Sequence, residues 1–172
     1  NAQAAMAAPA LLQPPGGGPA PFLSQDLAGE WQCGFGRGDS PQASPVSQVA
    51  RWKKVVIPGS YREQGWDAPS GSLWYVRRFD LPELPKEPFT ARFNLGAAEG
   101  VDHVLINGKL IGSTGRITNP DDLSTALRGY AVPAGLLKPG ANEIAIFVQF
   151  DTAAPLSPGN GNLATPLSLE FF

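Results

Sequence analysis

The dipeptide Asn107-Gly108, which separates two short apolar runs, constrains the fold more than any other stretch of this sequence. A two-residue type I′ turn needs a positive φ at both central residues, and Asn-Gly adopts that conformation at the lowest cost. We therefore predict a tight antiparallel hairpin with strands Val101–Ile106 and Lys109–Ser113.

The turn also sets the register of this hairpin. We expect Leu105 to face Leu110 across the two strands, and Val104 to face Ile111. Because apolar side chains then occur on both faces, we expect the hairpin to be covered on both sides. This pattern predicts part of the fold and does not indicate any chemical activity.

Composition favours many short strands over long helices, because 20 glycines and 18 prolines occur in 172 residues. The formal net charge is −2, so there is no basic excess to hold a phosphate backbone, and we expect no nucleic-acid partner. No apolar run approaches the roughly 20 residues that a bilayer-spanning helix needs, so we expect no membrane span in this chain.

Residues 1–25 contain no charged side chain and are rich in Ala, Pro and Gly. Such a segment buries too little surface to offset its ordering entropy, so we expect a flexible leader or linker over 1–25 and a single domain over 26–172. Ala2-Gln3-Ala4 has the small-x-small form of a signal-peptidase site, which favours a secreted or periplasmic protein. The competing interpretation is an interdomain linker of a longer protein.

Apolar patterning predicts further strands along the rest of the chain. One of them, Glu143–Phe150, is apolar on both faces and is therefore expected at the centre of a sheet. The others are Glu30–Phe35, Trp52–Ile57, Leu73–Leu81, Phe89–Leu95, Tyr130–Val132 and Leu167–Phe172.

The only helix signal lies at about Pro120–Leu127, where Asn119 offers an N-cap and Asp121 and Asp122 occupy the first turn. About nine short strands with turn signals between them indicate an all-β protein. We predict an antiparallel β-sandwich of jelly-roll type with at most one short helix.

Four segments occur in order: Val56–Ser60, Leu73–Pro82, Leu105–Gly112 and Leu137–Ile144. In sequence and spacing they resemble the N-terminal sugar-binding-type domain of glycoside hydrolase family 2 enzymes, over about Asp26 to Phe150. The resemblance implies a galactose-binding-domain-like jelly roll. It implies no catalytic residue, because the two catalytic acids of those enzymes lie in a separate barrel domain. Similar modules occur in sialate O-acetylesterases and as extracytoplasmic sensor domains of bacterial membrane receptors.

Residues for independent catalysis are sparse. The single cysteine, Cys33, excludes an internal disulfide and is expected to be a small buried hydrophobe. The single histidine, His103, lies in a predicted strand and is expected to be packed there or to lie at its edge. No G-x-S-x-G motif occurs, the acids are scattered, and we assign no catalytic residue.

Metal ligands are equally sparse. Asp151, Asn160 and Asn162 could supply oxygen atoms to Ca²⁺, but their spacing matches no fixed motif. We expect no metal and no other cofactor.

A sugar-binding protein stacks an aromatic side chain on the sugar ring and uses polar groups to bind its hydroxyls. Trp66 is the strongest candidate, because it lies in a polar loop beside Asp67, with Arg62 in the same loop and Arg116 in another. The alternative is that Trp66 caps the end of the core and that the charges are solvated. Each of the other tryptophans lies in a predicted strand and is expected in the core: Trp31, Trp52 and Trp74. Tyr61 is expected to pack beneath its loop.

Three functions follow from these observations. The first is a non-catalytic carbohydrate-binding or accessory module of a glycan-degrading system. The second is an extracytoplasmic scaffold or ligand-sensor domain that packs on an adjacent protein domain. The third is a free-standing hydrolase, which would need two carboxylates facing each other across a pocket.

Overall fold

Two antiparallel sheets pack face to face as a sandwich in the computed structural model. It describes residues 18–35, 49, 51–65, 71–86, 88–98, 100–115, 127–149, 163, 165 and 167–172. The described strands are β1 (Leu23–Asp26), β2 (Gly29–Phe35), β3 (Lys53–Ile57), β4 (Ser72–Leu81), β5 (Ala91–Ala97), β6 (Val101–Ile106), β7 (Lys109–Thr114), β8 (Leu127–Val132), β9 (Gly140–Gln149) and β10 (Ser168–Phe171).

The sandwich consists of a four-stranded sheet in the order β1-β10-β5-β8 and a six-stranded sheet in the order β3-β2-β4-β9-β6-β7. Strand β9 pairs along its whole length with β4 and on its other side with β6, which confirms its predicted central position. The all-β prediction is likewise confirmed. Among the described residues there is no helix, so none that could span a bilayer.

Strand β1 is the one element that the apolar pattern did not predict. It begins at Leu23, inside the range expected to be a leader or linker, and it pairs from Leu23↔Phe171 to Asp26↔Ser168 with β10. Its side chains are mostly exposed, so its place in the sheet depends chiefly on backbone pairing. Of the predicted helix, residues 120–126 lie outside the described residues, and Leu127 is the first residue of β8.

The central hairpin has the predicted turn, with φ values of 48° at Asn107 and 80° at Gly108. Leu105 pairs with Leu110 as predicted, whereas the prediction that Val104 faces Ile111 is wrong. A β-bulge shifts the register, so that Val104 pairs with Gly112 and one extra residue is accommodated in β7.

The expected two-sided cover holds for β6, where five of six residues are buried, but not for the start of β7. That strand lies at the edge of the sheet, and its first two residues, Lys109 and Leu110, are exposed.

Most of the core lies between the two sheets, and its largest fully buried members include Trp31, Tyr75, Phe93 and Phe171. The Trp31 indole Nε1 donates a hydrogen bond of 2.8 Å to the Leu27 carbonyl. The only polar group of the Trp31 side chain therefore has a hydrogen-bond partner inside the core.

A second, smaller apolar cluster covers part of the outer face of the six-stranded sheet. Trp74 and Phe147 lie side by side there with ring centroids 4.8 Å apart, and both are fully buried. Val49, Leu105 and Ala145 complete the cluster. Trp74 is therefore buried as expected, but on the opposite face of the sheet from the main core.

Candidate functional site

Two side chains, Gln64 of the loop and Lys53 of the strand, fasten the loop that follows β3 to that strand. The Gln64 amide donates to the Val56 carbonyl at 2.9 Å, and its Oε1 accepts from the Val56 N–H at 2.6 Å. The same amide donates to the Ser60 carbonyl at 3.2 Å, and Lys53 Nζ donates to the Gly65 carbonyl at 3.2 Å. These bonds fix the backbone of residues 60–65.

Arg62 is the one predicted sugar-binding residue that the structure describes. It is partly exposed, its Nε donates a 3.2 Å hydrogen bond to the Tyr61 hydroxyl, and its guanidinium lies 5.8 Å from the centre of the Tyr61 ring. Tyr61 is fully buried, which confirms that it packs beneath its loop. Trp66, Asp67 and Arg116 lie outside the described residues, so their grouping with Arg62 stays a prediction.

A groove on the outer face of the six-stranded sheet, which we call the sheet groove, was not foreseen. Its volume is about 490 Å³, within the range of roughly 300–1,000 Å³ typical of small-molecule sites. Its lining comprises Glu30, Trp31, Gln32, Trp52, Val76, Arg77, Arg78 and Glu143.

Trp52 lines the sheet groove and is only partly buried, and it packs against the second apolar cluster, so the expectation that it lies in the core is met only in part. It comes just before β3 and lies against β2 at Gly34. A Cβ atom added at Gly34 would be 3.3 Å from Trp52 Cε3 and 2.2 Å from Val49 Cγ1. The missing side chain at Gly34 therefore lets the indole lie close to the sheet.

Two ion pairs border the sheet groove. Lys54 Nζ lies 2.9 Å from Glu30 Oε1, and Arg78 Nε lies 3.3 Å from Glu143 Oε2. Gln32 lies beside these ion pairs in the sheet, since it pairs with Lys54 on one side and with Val76 on the other. The polar lining thus offers donors and acceptors while its formal charges cancel.

A polar network joins the two sheets away from the sheet groove. Asp102 on β6 accepts hydrogen bonds from Arg128 Nη1 and from the Tyr130 hydroxyl, both on β8. Arg128 Nη1 also donates to the Gly100 carbonyl at 2.9 Å, and Thr114 Oγ1 lies 2.7 Å from the Tyr130 hydroxyl.

Burial governs the ionisation of this network. Loss of hydration raises the pKa of Asp102 to about 6, although Arg128 and Tyr130 both favour its charged form. Burial, and secondarily the neighbouring Asp102 carboxylate, raise the pKa of Tyr130 far above its usual value. Asp102 and Arg128 have fully buried side chains, so we assign the network a structural role.

The two residues considered for reactivity are packed among apolar groups. His103 is partly buried beside Phe147, with ring centroids 6.0 Å apart, and burial lowers its pKa. Cys33 is buried as expected, and desolvation raises the pKa of its thiol to about 12. In the described part of the chain, no three acidic, histidine or cysteine side chains cluster as metal ligands. The oxygen-bearing residues considered for Ca²⁺, namely Asp151, Asn160 and Asn162, fall outside it.

The fold is similar to part of several solved glycosidases. A beta-glucuronidase of an uncultured Clostridium aligns over 87% of this chain and 28% of its own, with a TM-score of 0.66 and 15% identity. The Bifidobacterium dentium beta-glucuronidase complexed with coumarin-3-O-glucuronide aligns over 87% and 30%, with a TM-score of 0.66 and 18% identity. A beta-glycosidase from Bacteroides vulgatus aligns over 87% and 20%, with a TM-score of 0.63 and 19% identity.

No protein-family model and no curated protein sequence matches this chain. Sequence identities below 20% establish a shared fold and nothing finer. The chain spans less than a third of the length of each of these glycosidases. The sandwich is therefore similar to one portion of much longer glycoside hydrolase chains.

Proposed function

We propose that this chain is a non-catalytic carbohydrate-binding or accessory module of a glycan-degrading system. The observation that supports it best is the alignment of 87% of this chain with only 28% to 30% of two beta-glucuronidases. The order of the four segments quoted above further favours the N-terminal sugar-binding-type domain of glycoside hydrolase family 2. The catalytic acids would then belong to a different domain.

The proposed binding loop is the one that follows β3. Trp66 would stack on a sugar ring, and Arg62, Asp67 and Arg116 would bind its hydroxyls. Arg62 supports this assignment because its guanidinium is partly exposed and held by the buried Tyr61. The fixed backbone of residues 60–65 means that this part of the loop would lose little entropy on binding. We also propose export to the periplasm or the exterior of a bacterial cell.

The alternative is a scaffold or sensor domain that docks on a neighbouring protein domain. Two consecutive apolar side chains at the edge of the four-stranded sheet favour it, since Phe22 and Leu23 are 61% and 46% exposed. Such side chains are typical of a surface that another domain covers.

Tryptophan fluorescence during titration with mono- and oligosaccharides tests the proposed function. Trp31 and Trp74 are fully buried, so a saturable change would report on Trp52 or Trp66. We expect such a change in the wild type and a clear reduction of it in Trp66→Ala. If no saccharide alters the fluorescence of the folded protein, and calorimetry detects no binding heat, the carbohydrate-binding function is refuted and the scaffold function is favoured.

A further inference from the structure

We propose that the sheet groove is a second saccharide site, distinct from the loop of Arg62, and that it prefers neutral sugars over uronic acids. This inference rests on the proposed function in one respect, namely that the ligand is a carbohydrate. The position of this site, its binding residues and its preference for neutral sugars depend on side chains of the outer face of the six-stranded sheet.

Trp52 supplies the apolar surface that the C–H face of a sugar ring requires. It is partly exposed and lines the sheet groove together with Val76 of β4. Packing against the buried cluster of Trp74 and Phe147 limits the movement of its indole. A restrained aromatic side chain provides a large contact area and loses little entropy when the ligand binds.

The polar lining matches the hydroxyl groups of a sugar, each of which both donates and accepts hydrogen bonds. The Glu30 and Glu143 carboxylates can only accept, the Arg78 guanidinium can only donate, and the Gln32 amide does both. All four come from neighbouring strands β2, β4 and β9, so the sheet fixes their spacing.

Charge balance indicates which sugars fit. The lining contains two acids, Glu30 and Glu143, and two arginines, Arg77 and Arg78, so its formal charges cancel. A uronate would place a third carboxylate near two existing ones and would have to compete for Arg78 or Lys54. The other arginine of the lining, Arg77, already donates through Nη1 to the Leu27 and Ala28 carbonyls. A neutral sugar can add hydrogen bonds while both ion pairs remain intact.

Isothermal titration calorimetry on the full chain tests this inference. The probes are neutral tetrasaccharides of glucose, mannose and xylose, with tetragalacturonate as the acidic comparison. We expect at least one neutral probe to bind and tetragalacturonate to bind about tenfold more weakly or not at all. Trp52→Ala should raise the Kd about tenfold, Trp52→Phe should largely restore binding, and Glu143→Gln should also weaken it.

The control is Glu83→Gln, which changes an exposed acid outside the groove lining and should leave the Kd unchanged. If Trp52→Ala does not fold, as judged by circular dichroism, then Gln32→Ala and Glu143→Gln decide the question.

The outcomes separate this inference from the proposed function. Binding lost in Trp66→Ala but unaltered in the groove variants would overturn the groove site and leave the carbohydrate-binding module intact. Binding by no probe would overturn both. Preferential binding of tetragalacturonate through Trp52 would overturn the neutral-sugar preference.

Discussion

Asp102 and Arg128 form an ion pair that is fully buried between the two sheets, with Asp102 on β6 and Arg128 on β8. β6 belongs to the six-stranded sheet and β8 to the four-stranded sheet, so the pair is a polar bridge across the sandwich. Burying two charges is costly, and the Tyr130 hydroxyl and the Gly100 carbonyl provide additional partners that offset part of this cost.

Removing one partner of this ion pair should therefore destabilise the folded protein strongly. Arg128→Met leaves a buried carboxylate without its counter-charge, and we expect a loss of about 3–5 kcal/mol in the free energy of unfolding by urea denaturation. The double variant Asp102→Leu/Arg128→Met should recover much of that loss. Lys54→Met, which breaks an exposed pair, serves as the control and should cost at most about 1 kcal/mol. Equal effects of the two single variants would contradict the structural role of the network.

The raised pKa of Asp102 predicts an unusual pH dependence. Burial raises the pKa of Asp102 to about 6 in the folded protein, whereas the carboxyl of the unfolded chain has its ordinary pKa of 3.8. Between these values the folded state binds more protons, so the Asp102 contribution to the free energy of unfolding decreases as the pH rises. The change should be on the order of 3 kcal/mol across this window.

Urea denaturation of wild type and Asp102→Asn from pH 4 to 7 measures this contribution. The stability difference, wild type minus variant, should shrink as the pH increases. A difference that grows with pH would show that Arg128 lowers the pKa of the carboxyl below its ordinary value instead.

Gly34→Ala should disturb the outer face of the six-stranded sheet. The new Cβ would lie 2.2 Å from Val49 Cγ1 and 3.3 Å from Trp52 Cε3, so both side chains must move. We expect a stability loss of about 1–3 kcal/mol and a shifted emission maximum from Trp52. The matched control is Gly129→Ala in β8, where the nearest atom would be Asn94 Oδ1 at 3.2 Å. Equal stability and unchanged emission in the two variants would argue against close packing at Gly34.

Asn107→Asp should weaken the hairpin although aspartate also tolerates a positive φ. Asn107 Nδ2 donates to the Leu136 carbonyl at 2.8 Å and to Asn142 Oδ1 at 2.9 Å, and a carboxylate would oppose both acceptors. We expect a loss of about 1–3 kcal/mol in thermal or urea unfolding. Lys109→Ala, at an exposed position beside the same turn, is the control. If Asn107→Asp were as stable as the wild type, these two hydrogen bonds would contribute nothing to stability.

Cys33 should be unreactive in the native protein. Its thiol is buried and its pKa is raised to about 12, so almost no thiolate is present at neutral pH. Reaction with a thiol reagent should be complete in urea and negligible without it. Rapid labelling of the native protein would indicate local opening of β2.

The strands were predictable where apolar residues recur in a strand-like pattern, as in β9, or where a turn dipeptide separates two apolar runs, as at Asn107-Gly108. The unpredicted strand β1 has mostly exposed side chains, and its pairing with β10 depends on residues far apart in the chain. The bulge between Val104 and Leu105 was also inaccessible, because apolar residues on both faces of the hairpin permit either register.

The sheet groove was harder to foresee than the fold. Trp52 precedes an apolar strand, and such a position gave no sign that its indole lies on the outer face of the sheet. A groove between strands β2, β4 and β9 depends on strand order, which the local pattern does not contain. Gly34 inside strand β2 was the available hint, since an interior glycine often marks a close approach.

The two hydrogen bonds between the Gln64 amide and Val56 have a further consequence for self-association. Strand β3 is an edge strand of the six-stranded sheet. Without the Gln64 amide, the peptide groups of Val56 would be open to pairing with a strand of another molecule. The primary amide imitates a peptide unit and occupies that position, so an incoming strand would first have to displace it. One glutamine thus helps to keep this edge from nucleating aggregates.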